Sequence, residues 1–556
     1  MDQPTKKLGL TLLLLILAIA VFFRFYKLDQ IPPALYPDVA INGTDALNAL
    51  QNDDFRIFYP ANNGREGLFM NLIALSFSVF GASVWAIKVV AAMFGTLTVL
   101  GLYLMIKEMF KNGSKNGEYI ALLSAFFIAV SFWHVNFSRI GFRAVMVPFF
   151  LVWSLYFLFK ASNSTPIQEI STNDTKKNPL IPYFLFLVSG LLFGLGFHTY
   201  IAFRVAPLVL VPIFIFDMIK NWPRVKLGRW FIFAFGIILA VSPLAYYYLN
   251  NPADFMGRAG QVSIFASASP IKALFDATLK TLGQFVFRGD YNWRHNLSGA
   301  PQVFWPLIPF FLLGLAYSLI QIFKKQNYIQ RSWALLSCHW SLVFLWGTML
   351  LPSILTNEGL PHALRSIGAI PATFIFVGVG VYLAIDYLNS KLLKYEHLLF
   401  AYKYAAAGLF VLLLISIAGF SYYQYFIYWG EHPETEGAFT KKFVDEALYL
   451  KSLPSAVKKY VVVNENGTAV PYPDGIPMPA QTIMFLTQTS QPPVQVQYIK
   501  HNQLADLAQI SDLSSPVVIL PMKYDQEIFR QLWNMFPYSQ TEIMEASGFA
   551  VLKINF

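Results

Sequence analysis

Residues 8–26 read LGLTLLLLILAIAVFFRFY. No side chain from Leu8 to Phe23 is charged, and Arg24 is the first that is. At about 1.5 Å per helical residue, such a run crosses the roughly 30 Å hydrocarbon layer of a bilayer. Runs of the same kind recur at 84–106, 118–137, 144–160, 180–200, 205–219, 230–249, 303–323, 332–352, 366–388 and 405–426, which makes eleven expected spans. Composition agrees. The 556 residues are 56% apolar and 13% charged, against about 25% charged in an ordinary soluble domain. Mean hydropathy is +0.49. That is too little charge to cover a soluble surface, which excludes a soluble enzyme, a disordered chain and a fibrous repeat. The expected fold is mainly α: a polytopic helical membrane bundle of about 11 transmembrane helices with a small C-terminal extracytoplasmic α/β domain. The charged start Met1–Lys7 suits a signal peptide, but no small-residue cleavage site follows, and Arg24, Phe25 and Tyr26 continue the segment. The first span is therefore expected to be retained. The lone Cys338 excludes an intramolecular disulfide and a Cys-based metal site.

Lysines set the expected orientation. They cluster at Lys6 and Lys7, at Lys107, Lys111 and Lys115, at Lys176 and Lys177, from Lys220 to Arg229, from Lys324 to Arg331, and at Lys391, Lys394 and Lys403. Every second loop is thus basic. The positive-inside bias places the N-terminus in the cytoplasm and the C-terminal tail outside a cell membrane. The stretch GLFMNLIALSFSVFG, Gly67 to Gly81, is too short to span and is expected to lie along or dip into the outer face. The polar stretch Ser162–Asn178 reads as a mobile cytoplasmic loop. Hydropathy falls after Trp429, which sets a boundary between 1–429 and 430–556. The tail has candidate strands at Tyr460–Asn464, Val494–Ile499, Val517–Leu520 and Phe549–Ile554, and candidate helices near Thr440–Lys451 and Asp525–Trp533.

The first outer loop carries the sharpest chemical signal. Pro37 suits the first position of a helix, so Asp38 falls in its first turn, where the helix dipole favours negative charge. Asp38, Asn42 and Asp45 are spaced i, i+4 and i+7 and share one helical face. An ionised Asp there suits a general base or a metal ligand, but equally a helix-capping role on a solvated loop. The same loop ends Gly64-Arg65-Glu66-Gly67, a charged pair just ahead of the short apolar stretch.

A second signal is arginine where lysine would be usual. Arg139, Arg143, Arg204, Arg294 and Arg365 lie at outer membrane ends and loops, against the positive-inside bias. Arg grips phosphate and carboxylate oxygens in a two-pronged way that Lys cannot. Their companions include His134, His198-Thr199-Tyr200, Asp290-Tyr291-Asn292-Trp293-Arg294-His295-Asn296 and Pro361-His362. Singly, each suits a structural hydrogen bond. Together they suggest a cationic cavity that holds an anionic ligand and faces outside. In that case Asp38, Glu66, Arg204, Arg294, His362 and Arg365 are expected to converge. No His pair has zinc-motif spacing, and no P-loop or dinucleotide fingerprint occurs. Nucleic acid is not an expected partner.

The order of these strings resembles the GT-C membrane glycosyltransferases. Arg24-Phe25-Tyr26-Lys27-Leu28, Pro37-Asp38-x-Ala40, Gly64-Arg65-Glu66-x-Leu68, Phe80-Gly81-x-Ser83-x-Trp85-Ala86-x-Lys88, Phe94-Gly95-Thr96-Leu97-Thr98-Val99, His134 to Arg143, Gly194 to Arg204, Arg294-His295-Asn296 and Pro361-His362-x-Leu364-Arg365-Ser366 follow one another as they do there. The nearest branch looks like bacterial relatives of protein O-mannosyltransferases and of the aminoarabinose transferases that modify lipid A. The resemblance covers about 1–390 and leaves the tail uncovered.

The resemblance implies transfer of a sugar from a polyprenyl-phosphate donor, with inversion, on the extracytoplasmic side. The acceptor would be a protein, lipid or glycan. It gives Asp38 the essential acidic role. Many relatives carry an acidic pair, whereas Val39 stands second here, so Glu66 is the candidate second carboxylate. Arg65, Arg139, Arg143, Arg204, Arg294, Arg365, His295, His362 and Tyr200 are the implied phosphate and donor set. Relatives differ over a divalent metal ion; Asp38 and Glu66 would be its ligands. Rival readings are a flippase for a lipid-linked sugar, a receptor-like scaffold, and a ligase for whole glycans.

Overall fold

The computed structural model describes residues 3–111, 116–164, 180–221, 227–261, 263–329, 333–392, 399–468, 470, 475–509, 515–545 and 547–556. The expected loop Ser162–Asn178 lies outside this set from residue 165 on, as do Lys115, Lys176, Lys177, Arg224, Lys226, Arg331 and Lys394. The chain divides into two compact units. One is Met1–Tyr26 with Ala91–Trp429, and the other is Lys27–Val90 with Gly430–Phe556. Residues 27–90, which hold the expected first outer loop, thus group with the tail from Gly430 on, and not with the rest of 1–429. Hydropathy along the chain carries no signal for such a long-range pairing.

The first unit is the helical bundle of a multi-pass membrane protein. Among the described residues nine helices are long and apolar enough to span, and ten do if one bent pair counts as a span. Eleven were expected, and two places account for the difference. The third expected span breaks at Ser131, whose extended backbone separates Gly117–Val130 from Phe132–Ile140 with a bend of 55°. The fifth is a helix of only 17 residues, Leu180–Gly196, after which the chain turns through 197–200. That helix packs closely on Leu227–Asn250: a Cβ on Gly190 would meet the Phe233 carbonyl oxygen at 2.1 Å. Small residues permit this approach where apolar burial cannot drive association.

The second unit begins with a helix at Pro37–Asn52, with Pro37 in its first turn, as the sequence predicts. A two-stranded hairpin follows, β1 (Phe58–Tyr59) against β2 (Arg65–Glu66). Its turn needs left-handed backbone at Asn62, Asn63 and Gly64, and a Cβ on Gly64 would strike the Phe58 ring at 2.5 Å. The short apolar helix Leu68–Phe80 has 13 residues, below the length of a span. The tail is a five-stranded sheet, β3 (Lys458–Val463), β4 (Gln497–Lys500), β5 (Val517–Pro521), β6 (Gln540–Met544) and β7 (Phe549–Ile554), in the order β4-β3-β5-β7-β6. β4, β3 and β5 are parallel, whereas β7 pairs antiparallel with both β5 and β6. The helices Lys441–Ser452 and Gln526–Met535 match the predicted pair; β6 and the helix Gln481–Gln488 were not foreseen.

One buried charge in the tail gives a prediction. Glu446 is fully buried on the face of Lys441–Ser452 that also buries Phe443, Ala447 and Leu450. Among the described residues neither carboxylate oxygen has a hydrogen-bond partner, and Lys442 Nζ stands 3.8 Å away. Burial pushes this carboxyl well above its ordinary value, against the pull of Lys442. An acid raised on folding adds stability below its unfolded pKa and loses it as pH climbs through the folded one. Glu446→Gln is therefore expected to raise Tm near neutral pH by a few degrees and to flatten the pH slope. Thermal unfolding across an acid-to-neutral series checks this; a lower Tm for the variant at neutral pH would refute it.

Candidate active site

In the second unit, Asp38 lies half-buried in the first turn of its helix. Asn62 Nδ2 donates to Asp38 Oδ1 at 2.7 Å, and the left-handed hairpin turn sets the position of Asn62. The shared face expected for Asn42 and Asp45 forms, and Arg65 caps it. Arg65 Nη1 donates to Asn42 Oδ1 at 2.8 Å, Nη2 to Asp45, and Nε to the Ala61 carbonyl at 3.1 Å. Arg65 is buried, so these bonds tie the hairpin to the helix that carries Asp38. Burial raises the Asp45 carboxyl from its ordinary value, and Arg65 pulls it the other way. Glu66 is buried in β2 across from Phe58.

In the first unit, Asp290, His295 and His362 come together although the histidines lie far apart in sequence. Their ligand atoms all fall within 4.8 Å of one another. Asp290 Oδ2 accepts from His295 Nδ1 at 3.1 Å and from the Ala363 amide at 2.8 Å, with His362 Nδ1 at 3.8 Å. Asp290 Oδ1 accepts the Asn292 amide at 2.8 Å. The imidazole rings stack 5.0 Å apart. Among the described residues this is the only group of three His, Cys, Asp or Glu so arranged. Metal–ligand bonds of about 2 Å put tetrahedral ligand atoms a little over 3 Å apart, so two imidazoles and a carboxylate at these separations suit a zinc-like cation. The helix Phe132–Ile140 supports the trio: Trp133 Nε1 donates to the Ala363 carbonyl at 3.1 Å, and Asn136 Nδ2 to the Arg294 carbonyl at 2.8 Å.

The other expected residues of this unit make contacts of their own. Arg204 donates to the Phe255 carbonyl at 2.7 Å and to the Tyr248 hydroxyl at 3.3 Å, and stacks on the Phe255 ring. Arg143 stands over the Tyr200 ring at 5.6 Å. Arg365 reaches the Thr356 hydroxyl at 2.8 Å and Glu358 Oε2 at 3.1 Å. Arg139 is fully buried, donates to the carbonyls of Phe23 and Tyr26, and faces the rings of Tyr425 and Phe426. Arg143, Arg204, Arg294 and Tyr200 are half-buried. Asp290 is the member that reading the sequence did not single out as a site residue. Its string was noted for Arg294 and His295; an Asp followed five residues later by His was the available signal.

No protein-family model matches the sequence, and no curated protein does. Solved structures do. ArnT from Cupriavidus metallidurans in the apo state superposes with a TM-score of 0.54 over 97% of both chains, at 13% identity. The same protein bound to undecaprenyl phosphate gives 0.53 over 100% of this chain and 98% of that one, at 12% identity. The chain has the GT-C fold. The archaeal oligosaccharyltransferase AglB from Archaeoglobus fulgidus, in complex with an inhibitory peptide and a dolichol-phosphate, scores 0.48 over 83% of this chain and 63% of that one, at 15% identity. At these identities the likeness to ArnT establishes the GT-C architecture alone.

Proposed function

We propose that this GT-C protein is an integral membrane glycosyltransferase that moves a hexose or pentose from a polyprenyl-phosphate donor to a protein, lipid or glycan acceptor, on the extracytoplasmic side and with inversion. The observation that carries the reading is the end-to-end likeness to ArnT, a protein solved with undecaprenyl phosphate bound. The half-buried Asp38 in a first helical turn supports it. The acceptor hydroxyl oxygen attacks the anomeric carbon from the face opposite the phosphate. Its proton passes to the Asp38 carboxylate. The anomeric C–O bond breaks, and the polyprenyl phosphate leaves with the electron pair. Half-buried arginines suit the growing charge on that phosphate, because preorganised cations stabilise it more in the transition state than in the ground state. Arg143, Arg204 and Arg294 are the strongest candidates, with Tyr200, His295, His362 and Arg365 as further members of the proposed set. Arg65 and Arg139 are engaged inside the protein, and Glu66 is the reserve carboxylate.

A divalent cation, where one is used, would be held by Asp290, His295 and His362 in preference to Asp38 with Glu66, since three ligand atoms already meet there. When bound it would supply positive charge to an anionic oxygen. Wild-type protein purified with zinc is expected to keep about one ion per chain, and His362→Ala to lose it. Equal metal content in both by mass spectrometry would make the trio a hydrogen-bonded knot only. The function itself is tested by incubating the protein in membranes with labelled polyprenyl-phosphate sugars and protein, lipid and glycan acceptors. Transfer of label supports the reading; label carried across the bilayer without transfer supports a flippase.

A further inference from the structure

We propose that residues 478–488 of the C-terminal segment are the positioning element for Asp38, so that the tail holds the catalytic loop in its working geometry. This rests on the reading of Asp38 as the base. Three contacts within the second unit carry it. Thr482 Oγ1, fully buried, donates to the Leu35 carbonyl at 2.9 Å, just where the chain enters the Asp38 helix. The buried Phe485 ring lies against Gly43, five residues beyond Asp38, and against Phe77 at 6.2 Å. Met478 and Val470 pack with Ile41 and Ala61 in one apolar cluster. Ala61 precedes Asn62, the donor to Asp38 Oδ1. The tail therefore fixes the start of the helix, its middle, and the hairpin residue that orients the carboxylate.

Gly43 shows how tight this seat is. A Cβ there would stand 2.6 Å from Phe485 Cε2 and 2.6 Å from Ile87 Cδ1. The end of Ile87 can swing aside. The Phe485 ring is fully buried and stacked on Phe77, so it yields far less readily and the strain passes to the helix. Displacement of a reacting group by about 1 Å can cost on the order of 100-fold in rate.

The test uses the full-length protein in membranes, with transfer kinetics and hydrogen exchange over residues 37–52 as separate readouts. Gly43→Ala is expected to lower kcat by about 10- to 100-fold with little change in donor KM. Adding Phe485→Leu to Gly43→Ala should restore most of it, which a general loss of stability would not allow. Thr482→Val should lower kcat and speed exchange, while Thr482→Ser, which keeps the hydroxyl, should do neither. Unchanged exchange in Thr482→Val and Phe485→Ala overturns the proposal, whether or not transfer is seen. So does faster exchange with kcat at the wild-type value. A wild-type protein that transfers no sugar overturns the glycosyltransferase reading instead, and exchange alone then decides whether the tail holds the loop.

Discussion

Asp38→Asn is expected to lower turnover by about 100-fold or more while leaving the fold intact, the usual scale for loss of a general base. The geometry makes this substitution unusually clean. Asn keeps the shape of Asp, and its side-chain oxygen can still accept from Asn62 Nδ2, which now lies 2.7 Å from Asp38 Oδ1. What disappears is the negative charge and the capacity to take a proton. Transfer from a labelled polyprenyl-phosphate sugar measures turnover, and hydrogen exchange over 37–52 reports whether the helix has moved. A suitable control is Asp54→Asn, since Asp54 forms an exposed pair with Arg56 and such pairs contribute about 0–1 kcal/mol. Asp45, though in the same helix, is not a neutral control because it is paired with buried Arg65. If Asp38→Asn keeps near-full transfer while Glu66→Gln abolishes it, the base is Glu66. Glu66 is the alternative because it is a second carboxylate of the same loop, buried in the hairpin that carries Asn62.

Local features of this chain were legible in the sequence, and long-range pairings were not. Pro37 announced the start of a helix, and the helix Pro37–Asn52 begins there, because a proline lacks only an N–H that the first turn would leave unsatisfied anyway. The four predicted strands of the tail exist, since alternating and buried β-branched runs leave few other folds. The break at Ser131 was invisible: the run from Tyr119 to Phe137 is mainly apolar on both sides of it, and serine alone does not stop a helix. The site was harder still. His295 and His362 were both noted, but nothing in a linear sequence says that they share Asp290. The grouping of Lys27–Val90 with the tail depends on Phe485, Thr482 and Met478 meeting a loop more than four hundred residues earlier. Such contacts are written in shape complementarity, which one sequence without its fold does not display.

Breaking the Arg65–Asp45 pair should be the most destabilising single change in the second unit. Arg65 is 2% exposed and Asp45 19%. Removing one partner of a buried pair strands the other, at a cost of about 3–5 kcal/mol. Partial exposure of Asp45 places Asp45→Asn at about 3 kcal/mol, the low end of that range. Arg65→Met additionally leaves Asn42 Oδ1 and the Ala61 carbonyl without this donor. The double variant Arg65→Met with Asp45→Leu should recover much of the loss, since a well-packed apolar pair can replace a buried ionic one. Thermal unfolding and hydrogen exchange over 37–66 measure both effects. The same variants separate two roles for Arg65. If it grips the donor phosphate, Arg65→Met raises donor KM, exchange in the loop stays slow, and Asp45→Asn leaves KM alone. If it clamps the hairpin to the Asp38 helix, both single variants loosen exchange together and lower kcat with little change in KM. The second pattern is the expected one, because three of the arginine's donors already point at Asn42, Asp45 and Ala61, and a phosphate would have to displace them.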